Sequence, residues 1–215
     1  MIPDWAAERS AMVDQQLRRH GIRDPRVLAA MGRIPREEFV PPEVRVSSYQ
    51  DEPIHIGHGQ TISQPYMTAF MAELLELDGT ETVLDVGAGS GYHAAVLGLL
   101  AARVVSIEVI PALAALAEAN LARTGLGSHI EVVSGDGSRG WPAAAPYHAI
   151  SVAAGAPAVP PALLEQLRDP GRLVIPVGPM ADQELMVYRK HDARIDSHVA
   201  GYCRFVPLRG DHGWQ

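Results

Sequence analysis

Two kinds of hydrophobic patterning divide this chain near its middle. From Thr82 onward, short apolar runs alternate with longer helical patterns. Thr82 to Val86 is a β-branched run that ends in glycines at alternate positions, Gly87, Gly89 and Gly91, before a helix-compatible stretch from Tyr92 to Leu100. Val104 to Glu108 reads as a second strand ending in a carboxylate. Pro111 opens a helix that runs through Arg123 and closes at Gly125, Ile130 to Val133 gives a third strand, and Gly135-Asp136-Gly137 follows it. Alternation of this kind implies a mainly parallel sheet covered on both faces. After Gly171 to Pro176, the segments Glu184 to Lys190 and His198 to Val206 read as consecutive strands with no helix between them, which should pair antiparallel at one side of the sheet.

The first third reads differently. Trp5 to Val40 carries charge and helical periodicity, with Val13 and Leu17 on one face while Met12, Gln16 and His20 contribute little to it. Asp24-Pro25 is a good cap and first-turn pair ahead of Val27, Leu28 and Met31. Pro35, Pro41, Pro42 and Pro53 then interrupt regular structure and lead into His55-Ile56-Gly57-His58-Gly59. Ser63-Gln64-Pro65 opens an apolar helical pattern through Tyr66, Phe70, Met71, Leu74 and Leu75, where Tyr66 and Met67 read as core or pocket wall. The expected organisation is one domain over 1–215, with 1–78 a helical, substrate-side segment and 79–215 a cofactor-binding α/β core.

Composition narrows the function. A chain of 215 residues can bury a sizeable core, and a net charge of −7 disfavours broad phosphate binding, so no nucleic acid is expected as partner. Cys203, the single cysteine, cannot form an internal disulfide; it is expected in the core, and the protein in a reducing, cytoplasmic compartment. The longest apolar run, Ala94 to Ala102, falls short of the ~20 residues that span a bilayer, so no membrane partner is expected. His55 and His58 are spaced like two metal ligands, but no neighbouring ligand cluster completes a site and no metal is expected.

The glycine run carries the first chemical signal. Glycines allow positive φ and close approach of a ligand, and the helix start beyond them offers unpaired N–H groups. An acid at the place of Glu108 characteristically accepts hydrogen bonds from ribose hydroxyls, and Asp136 between glycines could take the exocyclic amine of adenine. The bland alternatives are a solvated strand end and a turn residue. A nicotinamide dehydrogenase fits poorly, because the third glycine falls one place early and no hydride-transfer acid/base set is visible. Spacing alone makes Ser63 a helix cap with Pro65 in the first turn, yet the approach through Gly57, His58, Gly59, Gln60 and Thr61 is unusually polar for a simple cap. His93, just after the glycines, would cap or pack near the cofactor.

The ordered series resembles the S-adenosylmethionine-dependent methyltransferases, and implies a Rossmann-like class I fold, doubly wound, with an N-terminal helical extension and antiparallel C-terminal strands. By that resemblance Asp85 would orient the amino-acid part of S-adenosyl-L-methionine. Gly87, Ala88, Gly89, Ser90 and Gly91 would form the cradle, Glu108 with Val109 would bind the ribose, and Asp136 with Gly137 the adenine; the product would be S-adenosyl-L-homocysteine. The segment Ile56-Gly57-His58-Gly59-Gln60-Thr61-Ile62-Ser63-Gln64-Pro65-Tyr66-Met67 further resembles the signature of the protein-L-isoaspartate (D-aspartate) O-methyltransferases. The likeness extends in order through Met12-Val13, Gln16-Leu17, Gly21-Ile22, Val27 to Val40, Gly135-Asp136-Gly137, Gly171 to Gly178 and Arg204 to Leu208.

That resemblance implies methyl transfer to the free α-carboxylate of isoaspartyl residues in damaged proteins or peptides, with the ester closing to a succinimide that hydrolyses partly to normal aspartate. Ser63 would be the active-site serine, holding the carboxylate by hydrogen bonding, with Thr61 and Ile62 shaping the pocket and His58 bordering its entrance. The chain is expected to act as a monomer. Two positions depart from the family pattern: His148 stands where Asp is common, and Ala153 where Thr is frequent. An acid before this strand could order the loop below the cofactor, and His148 could supply a similar but pH-sensitive bond. Two other readings remain: an aspartyl O-methyltransferase acting on a dedicated peptide in biosynthesis, and a non-catalytic cofactor-binding recognition module.

Overall fold

The computed structural model describes residues 3–214. Its central sheet is built from β3 (Thr82–Val86), β4 (Arg103–Glu108), β5 (Ile130–Ser134), β6 (Tyr147–Val152), β7 (Leu167–Val177), β8 (Gln183–His191) and β9 (Arg194–Cys203). These seven strands lie in the order β5-β4-β3-β6-β7-β8-β9. The first five in spatial order run parallel, and β8 and β9 add antiparallel at one edge. The chain winds outward from β3 through β4 to β5, then returns to place β6 on the other side of β3. This reversal opens a crevice at the carboxyl ends of β3, β4 and β6.

Alternation along each strand sorts its side chains between two cores. Val83, Val104, Ala149 and Val174 enter one cluster, while Leu84, Val86, Val105, Ile107, Ile150, Val152, Leu173 and Ile175 enter the other. The first face is covered by α4 (Tyr92–Gly98), α5 (Pro111–Thr124) and the N-terminal elements, the second by short α6 (Pro161–Glu165) and by Leu208. Asp85 shares the first face with Val83, directly under α4.

The N-terminal elements are α1 (Trp5–Ala11), which widens into a π-helix over Met12–Arg18, and α2 (Pro25–Arg33). The Asp24 cap is realised: its carboxylate accepts from Arg26 N at 2.7 Å and Val27 N at 3.4 Å. The wider winding corrects the reading of Met12, which is buried together with Leu17 because residues five apart share a face of a π-helix. Gln16 is also used, donating to Tyr49 O at 2.7 Å.

A hairpin of β1 (Ile54–Gly57) and β2 (Gln60–Ile62) precedes α3 (Pro65–Leu74). His58 and Gly59 form its two-residue loop with φ of 53° and 71°, the pair of positive values that suits strand twist. Ile54, Ile56 and Ile62 anchor the hairpin in the core. At the other end of the chain β9 starts earlier and stops earlier than its hydrophobic pattern suggests. Its first half is an exposed edge, which reads as polar, and Arg204 to Val206 leave the sheet to run across the crevice. Cys203 is accordingly half-buried rather than in the core, with its thiol donating to Gln183 O at 3.6 Å and burial pushing its pKa up to about 11.

Candidate active site

The crevice holds a cavity that encloses about 750 Å³ of space, open solvent included. Three segments wall it: Gln60 to Ser63 from the hairpin, Val86 to Ser90 from the glycine turn, and Val206 to Arg209 from the C-terminal tail. Glu108, Val109 and Gly137 complete the end beside β4 and β5, and Ala153 lies beneath, at the end of β6. Thr61, Ile62, Ser63, Gly87, Ala88, Gly89 and Ser90 thus meet in one place. Among the described lining residues His58, Asp85, Gly91 and Asp136 are not found.

Gly91 has a packing reason for its identity. Its φ is +86°, and a Cβ there would lie 3.1 Å from the Ala117 carbonyl of α5, so no larger residue fits the close approach. Glu108 is almost buried and ties the turn to β4: Oε2 accepts from Gly89 N at 2.9 Å and Oε1 from Ile110 N at 3.0 Å. Each oxygen retains a lone pair for a ligand hydroxyl.

Below the turn lies a polar cluster inside an otherwise apolar layer. Register places Asp85 between Ser106 on β4 and Ser151 on β6, with His93 of α4 above them. Asp85 is fully buried; Oδ2 accepts from Ser106 Oγ at 2.7 Å, and Oδ1 has no hydrogen-bond partner among the described residues. Burial pushes its carboxyl up to about 7; the Ser106 bond opposes this, and the charge of Glu108 adds to it. His93 Nε2 sits 2.9 Å from Ser151 Oγ and 4.0 Å from Asp85 Oδ1, and burial lowers its pKa to about 4. At neutral pH the imidazole is therefore uncharged and forms no ion pair with Asp85. The glycine turn, with the Glu108 carboxylate at the cavity wall keeping a lone pair free on each oxygen, fits a ligand that carries a ribose, whereas Asp85 is buried beneath the turn and does not line the cavity.

Asp136 caps the turn 137–139, with Oδ1 accepting from Ser138 N at 2.9 Å and Ser138 Oγ at 2.6 Å. Its Oδ2 accepts from Asp211 N at 2.9 Å. Burial pushes this carboxyl upward, but the bonds from Ser138 and Asp211 outweigh it and hold the pKa below its ordinary value. Asp136 thus anchors the C-terminal tail, which also binds Gly155 through Leu208 N at 2.8 Å and Trp214 Nε1 at 3.1 Å. Sequence reasoning missed the tail as a wall of the site. Proximity of Leu208 and Arg209 to Gly137 depends on a return across the sheet that no local pattern encodes.

Ser63 is not the helix cap that spacing suggested. Gln64 occupies that position without a side-chain bond, and the first donor of α3, Tyr66 N, goes to Asp51 Oδ1 at 3.3 Å. Asp51 Oδ2 accepts from Gln64 Nε2 at 2.8 Å, while Arg36 donates to the Ser63 carbonyl at 2.8 Å. No hydrogen bond of the Ser63 hydroxyl occurs among the described residues, and the residue faces the cavity. His58, at the exposed tip of the hairpin, stands away from the cavity wall.

His148 is corrected in place. It is the second residue of β6, at the amino end of the strand opposite the crevice, where Nδ1 accepts from Thr82 N at 3.0 Å and joins β6 to β3. It therefore lies away from the loop below the cofactor. Ala153 does lie at the crevice, with its Cβ 3.7 Å from where a Cβ on Gly87 would be.

Known proteins share this arrangement. A family model described as protein-L-isoaspartate(D-aspartate) O-methyltransferase matches residues 7–213. Protein-L-isoaspartate O-methyltransferase 2 of Marinobacter nauticus is 56% identical over 213 residues, covering 98% of this chain and 97% of that protein. Protein-L-isoaspartate O-methyltransferase of Methanoregula boonei is 50% identical over 208 residues, covering 97% and 95%. Among solved structures, one named protein-L-isoaspartate O-methyltransferase superposes with a TM-score of 0.84 at 29% identity, over 95% of this chain and 67% of the other. A Plasmodium falciparum structure in complex with S-adenosyl-L-homocysteine superposes with a TM-score of 0.79 at 25% identity, over 94% and 98%. On its sequence, its sheet order and its cavity, this chain belongs to the protein-L-isoaspartate(D-aspartate) O-methyltransferase family.

Proposed function

We infer that this protein transfers a methyl group from S-adenosyl-L-methionine to the free α-carboxylate of L-isoaspartyl residues in damaged proteins or peptides, starting their repair through a succinimide. The observation that carries this reading is the match to the family over residues 7–213, with Ser63 of the signature segment at the cavity wall. When bound, the cofactor supplies a methyl group on a positively charged sulfur. The chain has to hold the carboxylate in line with that methyl and keep water out. A carboxylate with an ordinary pKa near 4 is already ionised at neutral pH, so no general base is required. That suits a site whose one lining histidine among the described residues, His93, is held neutral by burial and bonded to Ser151.

Placement supports the following residue roles. Ser63 donates its hydroxyl to the substrate carboxylate, and Thr61 and Ile62 set the width of the slot beside it. The backbone from Gly87 to Gly91 and Glu108 hold the cofactor, with Val109 and Gly137 flanking the nucleoside end. Asp85 lies beneath the amino-acid end, and Asp136, behind the cavity wall, acts on the adenine end by capping the turn at Gly137 and anchoring the C-terminal tail. Bringing two opposite charges together in a cavity sheltered by the tail favours the transition state, in which both charges diminish. The proposed partners are isoaspartyl-containing proteins and peptides, met by a monomer in a reducing cytoplasm, for which the lone Cys203 is the supporting observation.

The test is conversion itself. A synthetic isoaspartyl peptide incubated with the protein and S-adenosyl-L-methionine should yield a growing fraction of the normal aspartyl peptide on chromatography. An isoaspartyl peptide that stays unchanged, with no S-adenosyl-L-homocysteine released, would refute the assignment.

A further inference from the structure

The start of α3 is built in an unusual way. A helix ordinarily satisfies its first free N–H groups with a local Ser, Thr, Asp or Asn. Here Ser63 is available two residues before Pro65, and Pro65 has no N–H to give, so Tyr66 N is the first donor that needs an acceptor. Asp51, fifteen residues earlier, takes it at 3.3 Å and takes Gln64 Nε2 with its other oxygen at 2.8 Å. The cap is thus imported from a remote segment.

The same turn is held at its Ser63 carbonyl by Arg36, whose side chain is fully buried. Its Nε donates to Ser48 O at 2.6 Å and an Nη to Ser63 O at 2.8 Å, and the guanidinium lies 4.7 Å from the ring centre of Tyr92, which lines the cavity. A guanidinium in such a position is costly to desolvate, and no carboxylate bonds it directly. An aliphatic side chain would fill the space at lower cost but could not fix two carbonyls from different segments. A planar fork holds both in fixed directions, which the rotatable donors of an ammonium do not.

We propose that Arg36 and Asp51 are positioning residues that clamp the Ser63 to Tyr66 turn, one at the Ser63 carbonyl and the other at Gln64 and Tyr66 N, relieving Ser63 of the capping role so that its hydroxyl is available to the substrate carboxylate. The proposal rests on the function inferred above. Arg36 sets where the Ser63 backbone stands. Asp51 supplies the acceptor that Tyr66 N would otherwise seek from Ser63.

A double-mutant cycle tests this. Arg36→Lys and Asp51→Asn are each measured in the presence of Ser63 and in a Ser63→Ala background, reading kcat/KM for an isoaspartyl peptide alongside the Kd for S-adenosyl-L-homocysteine. With Ser63 present each should lower kcat/KM about tenfold or more, since small misplacements of a reacting group are that costly, while the Kd changes by less than about twofold. With Ala at position 63 each should cost less than about twofold, because the residue through which the clamp acts is gone. Equal losses in both backgrounds would overturn the proposal in favour of a purely structural role. If Arg36→Lys does not fold, the half-buried Asp51 carries the cycle. A readout without activity is a crystal structure of Asp51→Ala, in which the Ser63 hydroxyl should turn to accept Tyr66 N; an unmoved Ser63 would contradict the clamp. A wild-type protein that leaves isoaspartyl peptides unmethylated would refute the inferred function, and the crystal structure would still decide the clamp.

Discussion

Replacing Asp85 by Asn should stabilise the cofactor-free protein relative to wild type progressively as pH rises, because it removes a carboxyl buried beneath the cofactor site. Asp85 is fully buried, and its Oδ1 has no hydrogen-bond partner among the described residues. Its carboxyl is pushed from 3.8 to about 7, first by burial. A raised acid pKa means that the folded chain holds the proton more tightly than the unfolded chain. The penalty is therefore absent below about pH 3.8, grows as pH rises, and is complete above about pH 7. At about 1.4 kcal/mol for each pH unit of separation, the full penalty is about 4 kcal/mol, of which about 3 kcal/mol accrues between pH 5 and pH 8. The amide introduced by Asp85→Asn would keep an acceptor for the Ser106 hydroxyl, and any cost of that amide is the same at every pH. Urea denaturation of both proteins without cofactor isolates the ionisation: the stability of Asp85→Asn relative to wild type should be about 3 kcal/mol more favourable at pH 8 than at pH 5. A difference that does not change with pH, or one that moves the other way, would show that Asp85 is not an ionisable group stranded under the glycine turn.

Two further outcomes follow from the site. Glu108→Gln should weaken S-adenosyl-L-homocysteine binding about tenfold or more in titration calorimetry, because a neutral amide cannot accept from both Gly89 N and Ile110 N, and kcat at saturating cofactor should change little. His148→Ala should lower stability by about 1 kcal/mol, by stranding Thr82 N, and leave kcat/KM unchanged; a loss of activity without a loss of stability would contradict its placement at the far end of the sheet.

The cofactor half of the molecule was legible in the sequence because its signals are local. The β3 run, the alternate glycines, the carboxylate ending β4 and the Pro111 to Gly125 helix each reflect the chemistry of a few adjacent residues, and their alternation implies a mainly parallel sheet. The hairpin was missed because His58-Gly59 is an uncommon two-residue loop and Pro53 just ahead suggested irregular chain. Spacing makes Ser63 look like a cap because the true acceptor, Asp51, lies twelve positions upstream. Arg36 gave no signal at all: within Pro35-Arg36-Glu37-Glu38 it reads as part of a solvated turn, and only packing against Tyr92 and Ser48 shows that it is buried. The C-terminal tail reaches Asp136 from more than seventy residues away, a distance over which patterning carries no information.

The central claim concerns which carboxylate receives the methyl group. Labelled S-adenosyl-L-methionine and two peptides of one sequence, differing only in an aspartyl or isoaspartyl linkage, test it most directly by the methanol released from the labile ester. The account predicts label from the isoaspartyl peptide alone, with a large drop in turnover when Ser63 is replaced by Ala. Equal label from both peptides, or from neither, would contradict it.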